Sequence, residues 1–184
     1  MTLVLGFVPF ILFDLLMRES VDLALWAAFA AAFTLTIRSF LDTQVLKTLD
    51  AGNTLLFGLL ALYKGFLQPG LSFGTVLLTV DGALLLLALG SLLRRAPFTL
   101  QYSREQIPRE QWEAPGFVRS NYVLSGVWAA ALAVMTAADA AATLAGAISL
   151  TWAVVAGLVA LAAALTFSLR YPAYLRSHGG AAPE

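Results

Sequence analysis

Four ionisable side chains stand inside long apolar stretches of this 184-residue chain: Asp14, Lys64, Asp81 and Asp139. A charge at the centre of a hydrocarbon layer costs roughly 2.5–3.5 kcal/mol on insertion scales, so each must pair, reach water, change protonation or do work. Carboxyls arranged at different depths suit a proton or ion relay, with Asp81 as the station nearest the middle. Thr75, Thr79 and Gly82 sit close to it in sequence and would give it a small polar pocket or a helix contact. The alternative is that Lys64 and Asp139 reach an interface along their stems while Asp14 pairs locally with Arg18. Asn53 shares a helical face with Phe57, Leu60 and Lys64, which puts a polar group at each end of one stripe. Depth estimates at 1.5 Å per residue place Asp14, Lys64 and Asp139 in one outer layer and Asp81 about 10 Å deeper. On that basis Lys64 is expected to face the interior within reach of Asp14.

Most other chemistry is excluded. The chain has no cysteine, and its one histidine, His178, lies six residues from the end. Thiolate and histidine-based metal sites, haem and iron–sulfur clusters therefore lack ligands. No nucleophile elbow or phosphate-cradling glycine loop is present. Asp42, Asp50, Glu105, Glu110 and Glu113 are interleaved with bases and do not cluster as carboxylate metal ligands would. The expectation is a non-enzymatic protein with no cofactor and no metal. Eleven basic residues balance eleven acidic ones, so there is no basic surface for nucleic acid.

The elements that must position the four residues are six apolar runs: Leu3–Met17, Val21–Ile37, Ala51–Leu67, Leu71–Leu93, Tyr122–Gly146 and Ile148–Leu169. Each approaches the length at which a helix crosses about 30 Å of hydrocarbon. With 60% hydrophobic and 12% charged residues, the composition is that of an integral membrane protein solvated by a lipid bilayer. The first run lacks a basic leader and a small-residue cleavage site and contains Asp14, so it reads as a retained helix. The expected fold is an all-α polytopic bundle of six transmembrane helices. Residues 1–170 form one domain, and 171–184 are a mobile tail.

Charge sets the orientation. In a six-span chain Arg38, Lys47, Arg94, Arg95, Arg104, Arg109, Arg119, Arg170 and Arg176 share one side, against Arg18 alone on the other. Basic loops are retained in the cytoplasm, so both termini are expected there, in a bacterial inner membrane. The loop 94–121 is punctuated by Pro97, Pro108 and Pro115 and mixes Phe98, Tyr102 and Trp112 with charges. Such a loop is expected to hug the membrane surface, with Phe98, Tyr102 and Trp112 partly buried against the cytoplasmic ends of the spans or in headgroups, and to offer a partner-docking face. Ala133, Ala137, Ala141 and Ala145 recur every fourth residue, as do Ala153 and Gly157, and Ala160 and Ala164. Small residues at this spacing are candidate helix-packing faces.

The opening Leu5-Gly-Phe-Val-Pro-Phe-Ile-Leu-Phe13 resembles the start of the bacterial intracellular septation protein A family. Arg94-Arg-Ala-Pro97 is similar to that family's basic-plus-proline exit from the fourth span. Ile107-Pro108 followed by Trp112 resembles its Leu-Pro…Trp element, and Asn121 with Trp128 its entry to the next span. The stretches from Trp112 to Asn121 and from Asn121 to Trp128 are longer than the family's, and the alanine-rich final hairpin departs from it. The resemblance implies a scaffold or partner in cell division and envelope maintenance, acting with other inner-membrane proteins. The alternative, carried by the residues themselves, is a small proton- or ion-coupled transporter or channel using Asp81, Lys64 and Asp14.

Overall fold

The computed structural model describes residues 5–17 and 19–178, apart from the side chains of Arg176 and His178. The expectations resting on Arg18 and on those two side chains lie outside the described residues. The chain is all-helical. In order it forms α1 (Val8–Leu16), α2 (Val21–Thr43), α3 (Thr48–Leu62), α4 (Phe73–Leu93), α5 (Phe98–Ser103), α6 (Pro115–Thr143) and α7 (Leu150–His178). A π-turn, Tyr63–Leu67, continues α3, and two 3₁₀ turns, Arg104–Gln106 and Arg109–Gln111, follow α5.

The boundaries follow from local chemistry. Ser20 and Ser72 cap α2 and α4, their hydroxyls accepting from the amides of Leu23 at 3.3 Å and Thr75 at 3.2 Å. Ile107 and Ala114, which precede prolines, are extended, and Pro115 opens α6 where its missing N–H costs nothing. Gln44 turns left-handed at φ 54° and ends α2. The expected tail is helical from Tyr171 to His178. Pro172 removes one backbone hydrogen bond there, but the surrounding residues favour helix enough to carry it through.

Among the described residues, four helices are long and apolar enough to cross a membrane: Val21–Thr43, Phe73–Leu93, Pro115–Thr143 and Leu150–Leu175 of α7. Among the described residues of the first run, Val8–Leu16 form one α-helical element. The third is fifteen α-helical residues followed by five in the π-turn. Large apolar side chains such as Phe66, Leu86, Leu93 and Trp152 face outward. That surface is compatible with a multi-pass membrane protein, in which lipid replaces water as the solvent of the outer face.

Neighbours in sequence are neighbours in space from α1 to α4, and α4, α6 and α7 then pack in turn. The core holds Phe10, Phe13, Leu25, Phe57, Val76, Val80, Leu84 and Trp128, with Phe7 stacked on Trp128 at 4.0 Å between ring centres. Of the small-residue stripes, Ala153, Gly157 and Ala164 are buried against α6 and the core. Ala133 and Ala137 instead face outward, so that stripe is not a packing face. Four-residue spacing fixes which residues share a face but not which way the face points.

Lys64 does not meet Asp14. The π-turn directs its ammonium to Asp22 in the first turn of α2, at 2.9 and 3.0 Å from the two carboxylate oxygens, with the Pro69 carbonyl at 3.4 Å. Lys64 is buried, whereas the Asp22 side chain is 57% exposed. The depth estimate weighed only Asp14 and Asp139 as partners and could not foresee the extra residue of a π-turn, which turns Lys64 toward Asp22. The burial asymmetry sets the consequence of breaking the pair. Asp22→Asn strands a buried ammonium, while Lys64→Met leaves a carboxylate in contact with solvent. A fully buried pair broken on one side costs about 3–5 kcal/mol; with Asp22 this exposed, Asp22→Asn is expected to cost about 1 kcal/mol. Thermal unfolding in one detergent should therefore rank Asp22→Asn below Lys64→Met, and the reverse order would contradict this reading of the pair.

Candidate functional site

The polar residues singled out in the sequence separate into three places. Lys64 belongs to the α2–α3 pin just described. Asn53 lies at the opposite, arginine-rich end, where its amide donates to the Gly6 carbonyl at 2.7 Å. Asp14, Asp81 and Asp139 come together.

The basic end is a closed latch. Phe98, Thr99, Leu100 and Tyr102 of α5 are buried, inserted under the ends of α3, α4 and α6 and not laid on the surface. The Tyr102 hydroxyl donates to Asp50 at 2.6 Å, and Thr99 donates to the Asn121 carbonyl at 2.9 Å. Lys47 bridges to Glu105 at 2.6 Å and lies 4.8 Å over the Tyr102 ring. Burial pushes the Asp50 carboxyl upward, and the Tyr102 hydrogen bond and the Lys47 charge pull it back. Burial, then the neighbouring Asp50 charge, pushes the Tyr102 phenol up, so it stays a donor. Trp112, half-buried, donates to the Arg104 carbonyl at 3.1 Å, with the Arg104 and Arg109 guanidiniums 5.1 and 5.5 Å from its ring. These contacts are structural: nearly every polar atom has a partner.

The acidic group is built differently. α4 and α6 run antiparallel, and two glycines of α4 allow a close approach. A Cβ on Gly74 would stand 2.5 Å from the Thr143 hydroxyl, and one on Gly82 would stand 3.8 Å from the Thr136 methyl. Between these two contacts Asp81 of α4 and Asp139 of α6 come to the wall of one chamber. The 10 Å offset expected from the sequence is thereby overturned. Depth counted along separate helices ignored how their tilt and side-chain direction bring residues to a common level. Thr79, expected to make a polar pocket for Asp81, instead faces outward and bonds back to the Thr75 carbonyl at 2.7 Å.

Both carboxyls are 2% exposed, and the Asp81 Oδ1 and Asp139 Oδ2 atoms have no hydrogen-bond partner among the described residues. Each residue lines a chamber of about 250 Å³ enclosed by α1, α4, α6 and α7. Asp14 of α1 lines the same chamber, near enough for its charge to act on the other two. The remaining wall is apolar: Leu15, Met17, Phe73, Leu77, Met135 and five residues of α7. Two carboxyls buried at one site are costly to ionise together, so the arrangement suits holding one proton between them. Among the described residues no three His, Cys, Asp or Glu side chains converge as a metal site would.

Sequence reasoning named the three acids but not their meeting, and it missed Met135 and Gly157, which complete the wall. The available signal for Gly157 was its four-residue spacing from Ala153 on the face that α7 turns inward. No protein-family model matches the chain, and neither a curated protein nor a solved structure shows significant similarity to it.

Proposed function

We propose that the chain is a six-span protein of a bacterial inner membrane, with both termini cytoplasmic, that works as a small proton-coupled carrier. Its proton site is the Asp81–Asp139 pair. One observation carries this reading: two buried carboxyls, each with an oxygen unpartnered among the described residues, line one chamber in the bundle. A purely structural acid at this depth gains by closing its hydrogen bonds, as Asp50 does with Tyr102. Leaving them open costs stability, and such costs concentrate at working sites.

The span count is supported by length and charge. The twenty residues of α3 and its π-turn reach about 30 Å at 1.5 Å each, and the shorter first run can be met by tilt or local thinning of the bilayer. The nine-to-one division of Lys and Arg supports the orientation. Reporter fusions after Ser177 and within the turn at Gly70 should report opposite sides of the membrane. The same side for both would refute six spans.

The second reading is the scaffold of division and envelope maintenance implied by the septation-family resemblance. Its specific support is the segment from Pro108 to Gly116, mostly exposed and charged, held on the latch by Trp112. Charge-neutral substitution of the pair separates the two. In a strain lacking the protein, Asp81→Asn should accumulate to normal abundance yet fail to restore the missing phenotype. Full restoration by that variant would remove the carrier reading and favour the scaffold.

A further inference from the structure

The walls of the acidic chamber restrict what could share it with a proton. An alkali or divalent ion exchanges its water shell for many oxygen ligands, six to eight in the case of calcium. Here the three acids are the only lining residues with polar side chains, and the walls are helices whose carbonyls are engaged in their own hydrogen bonds. A bare inorganic ion would be underliganded. A cation whose charge is spread over an alkylammonium or similar head loses water cheaply and brings apolar surface of its own. The lining suits such a body: Leu15, Leu77 and Leu161 are apolar, Met17 and Met135 are adaptable, and Phe73 offers a ring face. At about 30 Å³ per water, the volume equals roughly eight water molecules, enough for a small organic cation.

The entrance indicates where the occupant comes from. Asp81, Asp139, Met135 and Ala153 at the back of the chamber are nearly inaccessible. Leu15 on α1 and Leu158 on α7, its two lips, are 70% and 51% exposed. Both lips lie on the flank of the bundle, where apolar side chains face the hydrocarbon. The mouth thus opens sideways, toward lipid.

The geometry points to a small lipophilic organic cation as the occupant, entering from the bilayer between α1 and α7 and displacing the proton held by Asp81 and Asp139. This rests on the carrier reading above and adds its substrate class. The exchange balances: one positive charge enters the chamber, and one proton leaves the carboxyl pair for water. The charged groups facing the site are Asp14 from α1, Asp81 from α4 and Asp139 from α6. Among the described residues α7 contributes none, and no described Lys or Arg lines the chamber. Because cation and proton compete for one pair, binding tightens as pH rises.

The test uses the full chain in lipid nanodiscs, with benzyltrimethylammonium as probe and the uncharged isostere neopentylbenzene as control. Calorimetry in buffers of different ionisation enthalpy reads both binding and proton release. The expected result is saturable binding of the cation alone, with about one proton released, beyond that of empty nanodiscs. Asp81→Asn and Asp139→Asn should each weaken it tenfold or more. Gly157→Leu should abolish it without touching an acid. A Cβ there stands 3.5 Å from Met135, ordinary contact, so the added side chain fills the chamber instead of breaking the packing. No binding by the wild type, equal binding of the neutral isostere, or unchanged binding in Gly157→Leu would overturn the proposal. Binding without proton release would overturn the exchange. The carboxyl infrared absorption of the unliganded protein reads the proton site by itself. If that signal is present and the cation does not bind, the substrate class fails and the proton site stands.

Discussion

A polar group surrounded by hydrocarbon has no water to fall back on, and this one constraint organises the molecule. Every buried donor or acceptor must find its partner inside the chain. The latch at the basic end meets most of the requirement, with Asn53 Oδ1 and Arg104 Nε left unpartnered among the described residues. Tyr102, Asp50, Lys47, Glu105, Thr99 and Asn121 satisfy one another across three helices and a loop. Lys64 meets it with Asp22 and the Pro69 carbonyl at the other end. Between them Asp81 and Asp139 each leave one buried oxygen without a partner among the described residues.

The contrast gives the chamber its meaning. The same chain that seals Asp50 with a tyrosine leaves Asp81 open toward space lined by leucine and methionine. The close approach of α4 to α6 beside the two acids is tightest at Gly74, where a Cβ would stand 2.5 Å from the Thr143 hydroxyl. α1 supplies Asp14 and one lip of the mouth.

Hydropathy made the all-helical class and the apolar segments legible, because lipid-facing and core-facing residues are both apolar and the signal survives any rotation of a helix. Rotation itself was not legible. It decides that Ala133 faces outward while Ala153 faces inward, and that Asp81 and Asp139 line one chamber although their separate depths suggested otherwise. Lys64 was readable as a costly interior cation, but its partner depended on a π-turn that leaves no mark in composition. The aromatic loop was readable as membrane-associated. Its insertion under the helix ends depended on the Thr99 and Tyr102 contacts, which lie more than twenty residues apart in the chain.

The central claim is that one proton resides on the Asp81–Asp139 pair inside an apolar chamber. Infrared spectroscopy of the protein in lipid at neutral pH measures it directly. The account predicts the carbonyl stretch of a protonated carboxyl, shifted on exchange into heavy water and lost in the Asp81→Asn, Asp139→Asn double variant. A spectrum containing only ionised carboxylates at that pH, or a protonated-carboxyl signal that survives in the double variant, would contradict it.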